Sequence, residues 1–85
     1  MREFKYVITD VEGIHARPAG ELIKLVKDFQ STITIAKDGK SADAKRIFGV
    51  MGLAAKQGQE ITMTAEGPDE DAAISAIETF LKANL

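Results

Sequence analysis

The sequence predicts a two-layer α+β fold in which helices cover one side of an antiparallel sheet. Two kinds of segment support this prediction: in some, apolar and polar residues alternate, and in others, apolar residues recur at helical spacing. Breaks that contain glycine or proline separate several of them, and their order is β-α-β-β-α-β-α. A chain of 85 residues has room for a single domain, residues 1–85, because small domains bury only about 60% of their unfolded surface.

The first strand and the first helix follow from a change of periodicity near the N-terminus. Every second residue from Phe4 to Ile8 is large and apolar or aromatic, which is typical of a strand with one buried face. A turn-like Glu12-Gly13 pair follows, and Pro18 stands where an opening helix tolerates proline. Apolar residues then recur at helical spacing, which predicts a helix from about Ala16 to Asp28.

The middle of the chain predicts two strands and a short helix. Residues Ser31 to Ala36 alternate again, and the Asp-Gly pair within Lys37–Lys40 is a sequence that tight hairpin turns prefer. We therefore expect a strand on each side of this turn. Ile47–Met51 predicts a short helix, although Gly49 and Gly52 each cost about 1 kcal/mol of helix propensity.

The last third of the chain predicts a fourth strand and a final helix. Apolar residues occupy every second position between Glu60 and Ala65. A Gly67-Pro68 break follows, and the acidic residues at 69–71 suit the positive end of a helix dipole. A helix is therefore expected to begin there.

Composition and charge exclude several classes of protein. The chain has no cysteine, so it can form neither a disulfide nor a thiolate ligand. Met1–Asp10 lacks the apolar core and cleavage site of a signal peptide, which predicts a cytoplasmic protein. The longest uncharged stretch, Ile47–Ala55, is too short to span a bilayer, which needs roughly 20 apolar residues. A net charge of −2 argues against a protein that binds nucleic acid through its overall charge.

The only histidine, His15, lies in the run Gly13–Gly20, between a predicted strand and a predicted helix. An unprotonated imidazole nitrogen can accept a phosphoryl group, which the first-turn N–H groups and the guanidinium of Arg17 could then bind. An exposed helix terminus stabilises a nearby anion by only about 0.3–1 kcal/mol, so such a site could hold a phosphoryl group without trapping it. The sequence thus favours phosphate handling over a surface histidine without a role.

Other kinds of site fit the sequence less well. One histidine without cysteine leaves only carboxylates to complete a zinc site, so no metal is predicted. No Gly-x-Ser-x-Gly context supports a hydrolase triad. The run Gly49–Gly52 has the spacing of the RNA-binding GxxG loop, but the segment is apolar.

The run Gly13–Ala19 resembles the active-site signature of HPr, the family of histidine-containing phosphocarriers, and Ile47–Met51 resembles the family's second landmark. The resemblance covers essentially the whole chain. It implies an open-faced β-sandwich, in which a four-stranded antiparallel sheet carries three helices on one face. It also implies a phosphocarrier rather than a stand-alone enzyme. No cofactor is expected, and a carrier that visits two partners with one surface is expected to be a monomer. Such a carrier is charged by enzyme I from phosphoenolpyruvate and discharged by the IIA domains of sugar permeases.

The same resemblance assigns roles to individual residues. His15 would accept the phosphoryl group at Nδ1, Arg17 would be its partner, and the backbone amides of Ala16 and Arg17 would lie beside it. From helical spacing, we expect Val50 to be buried and Phe48 to be exposed. The predicted docking surface for protein partners comprises Pro18, Gly20, Glu21, Lys24, Lys27, Arg46, Ile47, Phe48 and Met51.

Arg46 departs from the family pattern. Many HPr proteins carry a serine here, and its phosphorylation by an ATP-dependent kinase controls carbon catabolite repression. Arginine has no hydroxyl, so we expect this regulation to be missing. Arg46 could attract acidic partners, or Lys45 and Arg46 could simply be a solvated pair. A second functional hypothesis also stays open: a regulatory binding module, such as one of the nitrogen-related branch, whose phosphorylation state signals to a partner protein.

Overall fold

The computed structural model describes residues Met1 to Leu85 and contains one four-stranded sheet and three helices. The elements follow the predicted β-α-β-β-α-β-α order, and the predicted open-faced α+β fold is confirmed. Their bounds are β1 Arg2–Val7, α1 Ala16–Val26, β2 Thr32–Lys37, β3 Lys40–Asp43, α2 Ile47–Gly52, β4 Glu60–Glu66 and α3 Glu70–Asn84.

The sheet has the strand order β1-β4-β2-β3, and every neighbouring pair is antiparallel. The last strand in the chain therefore lies between the first and the second. The pairing of β1 with β4 begins at Arg2, opposite Ala65. Strand β1 therefore starts two residues before Phe4, where the predicted alternation begins. Asp38 and Gly39 both have positive φ, 51° and 80°, as the tight turn between β2 and β3 requires.

One face of the sheet and the helices enclose a single hydrophobic core. Alternate residues of β2 and β4 point into it, and α1 and α3 contribute residues at helical spacing. Each fully buried Leu or Ile side chain contributes about 1.5–3 kcal/mol relative to an exposed one. The largest buried side chains include Ile8, Leu22, Val26, Ile33, Ile35, Val50, Ile61, Met63, Ile77 and Leu81.

The first helix ends slightly earlier than the sequence predicts, at Val26 rather than Asp28. Lys27 is the C-cap and donates its N–H to the carbonyl oxygen of Ile23. None of the helices combines the length and apolar character that crossing a bilayer requires.

Backbone contacts hold the loop between β1 and α1 against two distant parts of the chain. The N–H groups of Thr9 and Asp10 donate to the carbonyl oxygen of Leu85, at 2.6 and 2.9 Å. Ile14 N–H donates to Ala55 O at 2.9 Å. Gly13 has a φ of 68°, and a Cβ there would collide with the same Ala55 oxygen. These contacts fix the position of the β1–α1 loop at the start of α1.

Candidate functional site

His15 is the N-cap residue of α1, with an extended backbone that feeds into the helix at Ala16. Its carbonyl oxygen accepts the N–H of Ala19 at 3.0 Å, whereas its side chain makes no capping hydrogen bond. Pro18 has no N–H, so Ala16 and Arg17 supply the N–H groups of the first turn that lack an intrahelical acceptor. The first turn contains no acidic residue. The positive end of α1 is therefore open to an anion next to the imidazole.

The imidazole of His15 contacts a carboxylate that was not among the predicted site residues. Nε2 lies 3.3 Å from Oε2 of Glu12, and the two side chains are 33% and 72% exposed. The backbone N–H of Glu12 in turn donates to Oδ1 of Asp10 at 2.8 Å. The sequence signal was a carboxylate three residues before the histidine, but this spacing has no fixed geometry outside a helix.

Asp10, Glu12 and His15 each place one potential ligand atom within 4.8 Å of the others. The sequence predicted no metal here, and the three side chains lie close enough to offer one nitrogen and two oxygens. Two of these groups already have protein partners, because Glu12 contacts the ring and Asp10 accepts a backbone N–H. Contacts within the protein therefore account for the close approach of these side chains.

Arg17 lies two residues after His15 and extends along the outside of α1. Its Nη1 atom is 3.4 Å from Oε1 of Glu21, one helical turn further on, and both side chains are largely exposed. An exposed pair at this spacing contributes only about 0.3–0.5 kcal/mol. The guanidinium can therefore exchange Glu21 for another anion at little cost.

The remaining predicted docking residues of α1 divide into two groups. Glu21, Lys24 and Lys27 are exposed, and a Cβ added at Gly20 would meet open space. Pro18 is fully buried, so its prediction as a docking residue is wrong. The reason is helical geometry: Pro18 shares its face with the buried residues Ala19, Leu22, Ile23 and Val26.

The short helix α2 packs beside α1 and contributes the apolar part of the predicted surface. Phe48 is 88% exposed and Met51 is 37% exposed, whereas Ile47 is half-buried. Val50 is fully buried. The expectations that Phe48 is exposed and that Val50 belongs to the core are therefore confirmed.

Lys45 and Arg46, which precede α2, differ in their contacts. The side chain of Arg46 is 82% exposed, with Nε 3.8 Å from Oδ2 of Asp43. Lys45 instead turns inward, and its Nζ donates to the carbonyl oxygen of Phe29 at 2.8 Å. A purely solvated pair is therefore the wrong interpretation for Lys45, because this lysine ties the loop before α2 to the chain that follows α1.

The fold and the site together define a class of protein: a small open-faced α+β domain with a histidine at an open helix N-terminus and an exposed aromatic residue on the short helix that packs against it. Comparisons with known proteins identify the family within this class. The family profile described as "PTS HPr component phosphorylation site" matches residues 2–83.

Named relatives agree with the family match. The chain is 44% identical over 81 residues to the phosphocarrier protein HPr of Lysinibacillus sphaericus, covering 95% of this chain and 92% of that protein. It is 47% identical over 78 residues to the HPr of Mycoplasma capricolum, covering 92% and 88%. A solved Mycoplasma histidine-containing phosphocarrier protein superimposes with a TM-score of 0.94 at 44% identity, covering 96% and 93%.

The chain belongs to the HPr family, the phosphocarriers of the phosphotransferase system. It is accordingly a phosphocarrier and not a stand-alone enzyme.

Proposed function

We propose that His15 accepts a phosphoryl group at Nδ1 from phosphorylated enzyme I and donates it to the IIA domains of sugar permeases. The observation that supports this proposal best is the open N-terminus of α1. His15 is the N-cap there, its side chain caps nothing, and no acidic residue occupies the first turn. A helix terminus of this kind attracts anions, because its free N–H groups and the helix dipole both favour negative charge.

Transfer to the carrier requires one bond to form and one to break. The lone pair of Nδ1 attacks phosphorus, and the bond between phosphorus and the donor breaks, with its electron pair returning to the donor. The phosphoryl oxygens then accept hydrogen bonds from the N–H groups of Ala16 and Arg17. The guanidinium of Arg17, released from Glu21, pairs with the same oxygens.

A carrier must hold its phosphoryl group weakly enough to pass it on. The exposed terminus of α1 contributes only about 0.3–1 kcal/mol to the stability of a nearby anion. Arg17 is itself 63% exposed, so solvent screens its charge. This combination supports a phosphoryl group that is oriented for transfer and remains easy to remove.

The exposed residues of α1 and α2 form the proposed docking surface, on which enzyme I and the IIA domains bind in turn. Phe48 and Met51 supply exposed apolar contact area, and Lys24, Lys27 and Arg46 supply positive charge around it. Gly20, Glu21 and Ile47 complete the surface. We expect a transient interface of less than about 1,200 Å², used by a monomer in the cytoplasm.

Regulation at this surface is proposed to differ from that of serine-bearing HPr proteins. Arg46 is the N-cap of α2 and has no hydroxyl to phosphorylate. Its exposed guanidinium is free to attract acidic partners, since its contact with Asp43 is long and solvated.

The test of the proposed function is phosphorylation by enzyme I and phosphoenolpyruvate, followed by intact-protein mass spectrometry and phosphorus NMR. We expect one acid-labile phosphoryl group, which disappears when an IIA domain is added. His15→Ala should abolish charging and leave the thermal unfolding transition unchanged. If His15→Ala were still phosphorylated, the assignment of His15 as the phosphoryl acceptor would be wrong. If the wild-type protein were not charged by a competent enzyme I, the alternative of a regulatory binding module would replace the carrier.

A further inference from the structure

We infer that Glu12 is a positioning residue for this transfer and that its carboxylate keeps the single proton of the neutral His15 ring on Nε2. The inference rests on the proposed function and adds to it a residue outside the run Gly13–Ala19. It starts from one contact, the 3.3 Å between Nε2 of His15 and Oε2 of Glu12.

The chemistry of the two groups determines which ring nitrogen is free. A neutral imidazole has one N–H donor and one nitrogen with a lone pair, and a charge close to one nitrogen biases which of the two carries the proton. An ionised carboxylate is negatively charged and has no proton to donate. Glu12 therefore favours the tautomer with the proton on Nε2 and the lone pair on Nδ1. His15 makes no side-chain capping bond, so the helix does not use that lone pair.

The turn before the helix holds the backbone of Glu12 in place. Glu12 N–H donates to Oδ1 of Asp10 at 2.8 Å, and Gly13 N–H donates to the carbonyl oxygen of Asp10 at 3.0 Å. Asp10 N–H is in turn bound to the carbonyl oxygen of Leu85 at 2.9 Å. The carboxylate of Glu12 is itself 72% exposed, so its position depends on this turn and on the ring rather than on packing.

The same contact serves both directions of transfer. When Nδ1 forms its bond to phosphorus, the proton stays on Nε2 and the ring acquires a positive charge, which the carboxylate of Glu12 stabilises. When the phosphoryl group leaves, the electron pair of the N–P bond returns to Nδ1 and the ring is neutral again. No proton has to move in either step. In the proposed function Arg17 pairs with the phosphoryl group, whereas Glu12 lies near the other nitrogen of the ring.

The first arm of the test is nitrogen-15 NMR of the His15 ring in the uncharged protein, at a pH where the ring is neutral. The wild-type ring should be protonated mainly at Nε2. In Glu12→Ala, the ratio of the Nδ1-protonated to the Nε2-protonated form should rise about two- to fivefold, the range of an exposed charged contact. Glu12→Gln should be intermediate, because its amide oxygen keeps a partial negative charge near Nε2. Glu66→Gln removes an equal charge from the exposed end of β4 and should leave the ratio unchanged.

The second arm measures phosphoryl transfer from charged His15 to an IIA domain. Glu12→Ala should slow it about two- to fivefold, and Glu12→Gln should recover part of the loss. An unchanged tautomer ratio in Glu12→Ala would overturn the inference, and so would a shifted ratio with an unchanged transfer rate. Failure of enzyme I to phosphorylate the wild-type protein would defeat the proposed function and, with it, the role of Glu12 in transfer. The tautomer ratio, which is read on the unphosphorylated protein, would still show by itself whether Glu12 controls the ring proton.

Discussion

The N-termini of α1 and α3 carry opposite arrangements of charge. The first turn of α1 has no acidic residue, and its N-cap histidine makes no side-chain bond to the helix. The first turn of α3 contains Glu70 and Asp71, and its N-cap is Asp69. Asp69 accepts hydrogen bonds from the N–H of Gln30, at 2.8 Å, and from both the N–H and the hydroxyl of Ser31.

The difference shows two uses of the same helix dipole. The Ser31 hydroxyl, followed by the Gln30 N–H, lowers the pKa of Asp69, and the Gly67 N–H lowers the pKa of Glu70. Neither N-cap side chain bonds to its own helix, but at α3 acidic side chains lie at the positive end, and Asp69 joins the α1–β2 loop to the helix. At α1 that end is left open, so an anion from outside can occupy it. The hydrogen bonds of Asp69 tie the loop before β2 to α3, whereas the N-terminus of α1 is the proposed phosphoryl site.

The largest effect on stability is expected from Asp69→Asn, which breaks the closed terminus. An asparagine cannot accept all of these hydrogen bonds, and its amide group would face the Gln30 N–H. Thermal unfolding should shift to lower temperature at pH 7. Asp71→Asn removes an equal charge from the same turn without those bonds and is the matched control.

The pH dependence of Asp69→Asn gives a second measurement of the same terminus. The pKa of Asp69 is lower in the folded protein than its ordinary value of 3.8. The Asp69 carboxylate therefore contributes fully to stability above the ordinary pKa, and this contribution is lost as the pH falls through the lowered pKa. The gap in unfolding free energy between wild type and Asp69→Asn should therefore narrow in acid. A gap that stays constant with pH would contradict the assignment.

An intermediate effect is expected from Arg17→Ala at the open terminus. The dipole alone contributes little, so loss of the guanidinium should slow transfer about tenfold, the equivalent of roughly 1.4 kcal/mol for a charge-assisted hydrogen bond. Binding of enzyme I should stay nearly unchanged. Rapid-quench experiments measure the transfer rate. The rate of Arg17→Lys, which keeps the charge without the planar guanidinium, should lie between those of the wild type and Arg17→Ala. If Arg17→Ala transferred the phosphoryl group at the wild-type rate, the assignment of Arg17 as the phosphate partner would be wrong.

The smallest effect is expected from Ala16→Glu, which gives α1 the kind of first turn that α3 has. The new carboxylate should stabilise the helix by about 0.3–1 kcal/mol and slow charging of His15 about two- to fivefold, because it competes with the phosphoryl group. Ala16→Gln has the same shape without the charge. If both variants were charged at the wild-type rate, the openness of this terminus would have no part in function.

Local patterns were enough to predict the order of the elements. Strand alternation, helical spacing and the Asp38-Gly39 turn each depend on a few neighbouring residues, and all of them reappear in the structure. Helical spacing also separated exposed Phe48 from buried Val50. The same periodicity places Pro18 on the buried face of α1, contrary to its prediction as a docking residue.

By itself, the sequence determined the α+β order of elements, the position of His15 at the start of a helix, and the resemblance to the HPr family, because periodicity and motifs are written in adjacent residues. Only the tertiary structure decided that Glu12 reaches the ring of His15 and that Lys45 binds the Phe29 carbonyl. It also decided that Asp69 ties down the loop at Gln30–Ser31. These contacts depend on how loops are placed by the core, and loop conformation follows no periodicity that a sequence displays.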